Sequence, residues 1–164
     1  MGDLTRHWSR HEFKCKGTHC CGGAAPISLD HVRRLQLVCD DICVFLKVKP
    51  EEMRFTCSSG FRCVTHNMTV GDSSPVSQHC LGLATDIVKP AQLTMGQFYM
   101  FMDRHFGAGG LGVYPRFYMG KGLYSPNNAF IHCDSRGARS RWGYLGPDKV
   151  TVEKALDYAE TSGQ

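Results

Sequence analysis

The sequence predicts an α+β domain with a central, mostly antiparallel sheet and helices packed mainly on one side. Three observations carry this. Short apolar runs at residues 53–58, 83–88, 109–114 and 129–134 are bounded by turn residues, as strands are. Longer stretches at 28–46 and 94–105 repeat apolar residues at helical spacing behind a capping side chain. Finally, 164 residues with 42% hydrophobic and 21% charged content suit one domain that buries its core without staples.

Taken in order, residues 1–26 form an amino-terminal segment rich in Cys and Gly, which Trp8 and Phe13 are expected to pin to the domain. Residues 27–146 form the main body, and 147–164 an accessory carboxy-terminal helix. Ser28 caps a helix to about Leu46, with Val32, Leu35, Val38, Cys39, Ile42, Phe45 and Leu46 inward. His66-Asn67 starts a helical turn, and residues 71–75 form a turn. Thr94-Met95-Gly96-Gln97 reads as a capping box for a helix to about His105, with Phe98, Phe101 and Met102 inward. The glycine-rich run 109–114 reads as a strand that lets another group approach closely. Residues 116–128, with Tyr118, Tyr124 and Asn127, form a long loop that either walls a cleft or merely connects. Thr151 caps the last helix, with Val152, Ala155, Leu156 and Ala159 on one face.

The chemistry centres on residues 77–87. His79 and Asp86 stand seven apart with Gly82 between them. His offers a neutral nitrogen and Asp an anionic oxygen, both suited to zinc. On its strand Asp86 shares a face with Ala84 and Val88, where an unpaired carboxylate would be costly. The best third ligand is His132, whose strand places Phe130 and Asp134 on the same side. His79, Asp86 and His132 with a spare carboxylate make a parts list for metal-assisted hydrolysis.

At these residues the chain resembles the zinc D-alanyl-D-alanine carboxypeptidases and murein endopeptidases, the M15 peptidases, in their small bacterial and phage-encoded form. The resemblance rests on Ser9 to Phe13, Ser59 to Cys63, His66-Asn67, Val70-Gly71, Ser77 to Ile87, Gly110 to Pro115, Phe130 to Asp134 and Arg141-Trp142-Gly143. It implies a fold like that of these peptidases and of the hedgehog signalling domain. It also implies zinc held by His79, Asp86 and His132, and a substrate in the peptide part of peptidoglycan. Arg62 then binds a substrate carboxylate or the developing oxyanion. Ser77 and Tyr114 are further candidates for substrate contact, and Trp142 is expected near the site. The chain departs from the family where Ala129 and Phe130 replace an acid or histidine used by several members, and where Asp72 replaces a frequent glycine. Asp134 remains as general base or as an anchor for His132.

Composition excludes several classes. The net charge of +4 comes with no basic stripe interleaved with aromatics, so nucleic acid is not an expected partner. No apolar run approaches the length of a membrane span. The first residues lack an apolar signal core, so the expectation is a protein made in the cytoplasm that acts at the wall, for which phage delivery is one route; a monomer is expected as well. Nine cysteines cannot all pair. Cys39 and Cys43 read as core filler. Cys15, Cys20 and Cys21, near His19, read either as free thiols or as a second, structural zinc site completed by Cys57 or Cys63. Two rival functions stay open: an inactive metal-bearing binding module of the same fold, and a thiol-based redox or metal sensor.

Overall fold

Helix α1 (Leu29–Leu46) forms where the apolar stripe is longest. Ser28 Oγ accepts the His31 amide at its start, and Lys47 closes it in the left-handed conformation, φ 55°. The computed structural model describes residues 2–18, 20–70, 76–116, 118–120, 123–124 and 128–164. His19, the 71–75 turn with Asp72, and Asn127 lie outside them, as do the side chains of Tyr118 and Tyr124.

The strands are β1 (Cys57–Ser59), β2 (Ala84–Val88), β3 (Gly110–Tyr114), β4 (Tyr118–Gly120), β5 (Leu123–Tyr124), β6 (Phe130–Asp134), β7 (Ser140–Leu145) and β8 (Asp148–Val150). The remaining helices are α2 (Val64–Asn67), α3 (Met95–His105) and α4 (Val152–Thr161). Six strands make one sheet in the order β1-β2-β6-β3-β7-β8, while β4 and β5 form a separate ribbon within the predicted 116–128 loop. The class is α+β, and the sheet is mixed: β3 and β7 run parallel, and the other neighbours antiparallel.

The sheet has two unlike faces because its side chains alternate. Thr85, Ile87, Leu111, Val113, Ile131 and Cys133 point into the helical layer and are buried. There they meet Leu35, Ile42, Phe98 and Met102, each fully buried aliphatic or aromatic side chain contributing roughly 1.5–3 kcal/mol. Trp8 and Phe13 join the same core and tie down the amino-terminal segment. Asp86, Tyr114, Phe130, His132 and Trp142 look the other way, into an open cleft.

Some elements differ from the sequence-based expectation. Strand β1 is three residues long rather than six, because Met53 and Phe55 bury their side chains without joining the sheet. Phe45 is half exposed at the rim of α1, where it packs edge-on to Phe101 at 5.4 Å.

His31 is a core residue the helical stripe conceals. It is fully buried beneath β2, its ring nitrogens 2.9 Å from Ser135 Oγ and 2.9 Å from Thr85 Oγ1. Burial, assisted by the neighbouring His132, pushes its pKa down to about 3. The folded state therefore keeps His31 neutral, while the unfolded chain protonates it near pH 6.5. Its contribution to stability is complete above about pH 6.5 and is lost as pH falls from there towards 3. Between pH 7 and pH 5 this amounts to roughly 2 kcal/mol. Urea unfolding of the wild type is expected to weaken over that interval by about this much more than unfolding of His31→Gln. Equal pH dependence of the two proteins would remove His31 from the account.

Candidate metal centre

The turn before β2 sets the first site residue. Ser77 Oγ accepts the His79 amide at 3.3 Å, and the Gly82 amide donates to the His79 carbonyl at 3.2 Å. Gly82 has φ +67°, and a Cβ there would lie 2.6 Å from the Pro26 carbonyl oxygen, so the turn tolerates no side chain. Strand pairing supplies the rest, since Asp86 lies directly opposite His132 in the β2–β6 ladder.

His79, Asp86 and His132 converge at the floor of the cleft. His79 Nε2 is 3.1 Å from His132 Nδ1 and 3.3 Å from Asp86 Oδ1; His132 Nδ1 is 2.9 Å from Asp86 Oδ1. The outer nitrogens have partners of their own. His79 Nδ1 donates to the Gly60 carbonyl at 2.6 Å, and His132 Nε2 donates to Asp134 Oδ2 at 3.1 Å. Those bonds fix both tautomers, so each ring turns a bare lone pair towards the other and towards a carboxylate oxygen. Three lone pairs at this range repel unless a cation lies among them. Tetrahedral zinc with bonds of about 2.0–2.1 Å needs ligand edges of roughly 3.3 Å, and the triangle fits with small outward shifts. His79 is 1% exposed, but Asp86 and His132 are 14% and 12% exposed on the cleft side, which leaves a fourth position reachable.

Burial alone would raise the Asp86 carboxyl; positive charge on the ring side of the triangle, carried by protons on His79 and His132 when no ion is there, holds it far below the usual carboxylate range, and a cation takes that place once the rings are neutral. Burial alone would lower His132; without an ion the two carboxylates beside it raise it instead, so the same negative field draws either a proton or a metal ion to this corner. Asp134 is fully buried and receives Arg136 through Nε and the terminal nitrogen, at 2.8 and 2.6 Å, and the Gly110 amide at 3.0 Å. Against the cost of burial, His132 and Arg136 hold its carboxyl well below the ordinary range.

The cleft above is about 570 Å³. Tyr114 stacks between Phe130 at 4.5 Å and Tyr144 at 5.2 Å, and its hydroxyl accepts Trp142 Nε1 at 3.0 Å. Burial pushes the Tyr114 hydroxyl up to about 12. Trp142 lies 5.3 Å from the His132 ring, over Gly112, where a Cβ would collide with the indole. The close approach that the glycine-rich strand predicts is therefore made by this chain's own Trp142. Arg62 lines the cleft, and its Nε is buried without a hydrogen-bond partner among the described residues. Arg136 and Lys149 add positive charge.

The family model described as Peptidase M15 matches residues 11–134. The chain belongs to the M15 peptidase family. Neither a curated protein nor a solved structure matches it. This M15 peptidase is accordingly a hydrolase of a metallopeptidase family, and its His/Asp group is a potential metal site. The match takes in Arg62, Ser77, His79, Asp86, His132 and Asp134 but stops short of Arg136 and Trp142.

Sequence reasoning passed over three parts of the M15 peptidase's site: the Gly60 carbonyl, Arg136 and Tyr144. An arginine two residues after an acid is the only local signal for Arg136. The cysteines also assemble. Cys15, Cys20, Cys21 and Cys63 cluster, whereas Cys57 is buried elsewhere in the core. Among the described residues of the M15 peptidase, no helix is long and apolar enough to cross a membrane.

Proposed function

We propose that the chain is a zinc-dependent peptidase that hydrolyses an amide bond in the peptide part of bacterial peptidoglycan. The observation that carries this is the convergence of three lone pairs, with both histidine tautomers fixed from behind, at the floor of an open cleft. His79, Asp86 and His132 hold the ion. A zinc ion there supplies Lewis-acid polarisation of the scissile carbonyl and an acidified water.

The surrounding residues bind and orient. Arg62, with an unused buried donor, takes the substrate carboxylate or the oxygen that gains charge at the reacting carbonyl. The Tyr114–Tyr144–Trp142 wall gives the peptide a flat apolar surface, and Ser77 lines the same cleft. Of the two roles the sequence leaves for Asp134, its burial and full set of donors support the anchor: it fixes the His132 ring and is a poor proton acceptor. Action at the wall after phage delivery, as an endolysin or virion-borne lysin, is part of this reading.

One observation favours a second reading, the inactive binding module. Among the described residues that line the cleft the one carboxylate is Asp86, which faces both histidines, and Asp134 behind His132 is engaged by Arg136. One experiment separates the two. Purified protein is stripped with a chelator, then reloaded with zinc, and soluble peptides released from isolated cell walls are measured at each stage. The peptidase loses release on stripping and regains it on reloading. Bound zinc without release from walls of several peptide types would instead establish the binding module.

A further inference from the structure

We propose that Cys15, Cys20, Cys21 and Cys63 form a tetrathiolate site for a structural zinc ion, distinct from the His/Asp centre. Their four sulfurs lie within 4.8 Å of one another, and all four cysteines are unbonded. Cys15 Sγ is 3.6 Å from Cys20 Sγ, and Cys20 Sγ is 3.8 Å from Cys21 Sγ. Tetrahedral zinc with Zn–S bonds of about 2.3 Å sets sulfur–sulfur edges of roughly 3.8 Å. These two spacings match those edges, and an S–S bond of about 2.05 Å would need either pair to close by more than an ångström.

The local backbone supports the same assignment. Residues 15–24 close into a loop through the Cys15 amide and the Ala24 carbonyl, at 2.9 Å, which brings Cys20 and Cys21 back over Cys15. Cys63 stands at the start of α2, where its sulfur accepts the His66 amide at 3.4 Å. The His66 ring then places Nδ1 3.3 Å from Cys15 Sγ. Donors aimed at sulfur from outside the cluster stabilise thiolate charge and orient it, as the outer partners of metal ligands do. His66 thereby acquires a role that its sequence position leaves open.

The site has a mechanical consequence. Cys63 follows Arg62 directly, and the Arg62 amide donates to the His79 carbonyl at 3.3 Å. Three residues before Cys63, the Gly60 carbonyl accepts from His79 Nδ1. On its other side this segment is held by Phe13, whose carbonyl accepts the Phe61 amide at 2.8 Å. An ion shared by Cys15 and Cys63 clamps the amino-terminal segment to the 60–63 wall, and so steadies both the tautomer of His79 and the position of Arg62.

Cobalt substitution tests this with a readout other than activity. The 164-residue chain, stripped under reducing conditions, is titrated with Co²⁺ and followed by absorption spectroscopy. Tetrathiolate coordination gives an intense sulfur-to-cobalt charge-transfer band that a His/Asp site does not. The wild type is expected to bind two equivalents, with the charge-transfer band saturating at one of them. His132→Ala should keep the full band and lose the other equivalent; Cys63→Ser should lose intensity with the sulfur removed. Wild-type spectra without the band would overturn the proposal, and so would disulfides among these four cysteines in the unreduced protein. Because the wild type alone decides, a poorly folding Cys63→Ser leaves the test intact. Failure of the His/Asp reading would show separately, as a wild type that binds one equivalent with the full band.

Discussion

His132→Ala is expected to empty the cleft site and to lower release of wall peptides by about 10³-fold or more, on several kcal/mol of lost Lewis-acid stabilisation. The substitution removes one corner of the triangle that His79, Asp86 and His132 make. It also strands the groups arranged around that corner. Among the described residues Asp86 keeps His79 as its one ring partner, and Asp134 keeps Arg136 but no longer faces an imidazole. The fold should tolerate the change, since the His132 ring lies against the cleft and the core side of β6 is filled by Ile131 and Cys133. Zinc content by mass spectrometry, circular dichroism and peptide release, measured on one preparation, check this together. A folded variant with intact release would remove His132 from the chemistry.

The triangle was legible because strand alternation is a local rule. Asp86 and His132 each sit in a short apolar run, and a period of two puts each on the face opposite its buried neighbours. The groups that make the triangle specific were not legible, because they arrive from a distance. The Gly60 carbonyl that fixes His79 lies 19 residues upstream and leaves no trace in residue type. Arg136 follows in sequence, yet a lone arginine in a turn reads equally well as a solvated one.

Strands β7 and β8 escaped for a related reason. Ser-Arg-Trp-Gly-Tyr-Leu mixes polar, aromatic and small residues without a clean period, because neither face of β7 is uniformly apolar. Trp142 looks onto the cleft, while Gly143 lies so close to Ala155 of α4 that a Cβ would collide with it. Its register against β3 is parallel, a pairing set by contacts made across the whole domain. The helices were the easiest elements: Ser28, Thr94 and Thr151 each accept the amide three residues on, as their types predict. His31 was lost inside that success. It falls four residues before Leu35 in the buried stripe, and its polar residue type hides it among the apolar members that define the stripe.

Asp134→Asn separates the two roles that the sequence leaves for this residue. As an anchor, Asp134 raises the basicity of His132 and holds its ring, so the amide variant should bind zinc about 10–100-fold more weakly. It should also be less stable, because Arg136 loses its carboxylate. Arg136 is 34% exposed, so the loss should fall short of the roughly 3–5 kcal/mol of a fully buried pair. At saturating zinc, however, peptide release should recover to within about tenfold of the wild type, since the anchor acts through ligand affinity and orientation. A general base gives the opposite pattern. Zinc affinity would then stay near the wild-type value, and release would fall by about 10²–10⁴-fold even with the site saturated. The geometry favours the first outcome: Asp134 is fully buried, its oxygens face His132 Nε2, Arg136 and the Gly110 amide, and the exposed corner of the triangle lies on the far side of the His132 ring. A carboxylate behind its ligand can tune the metal, but it has no path to a proton in the cleft.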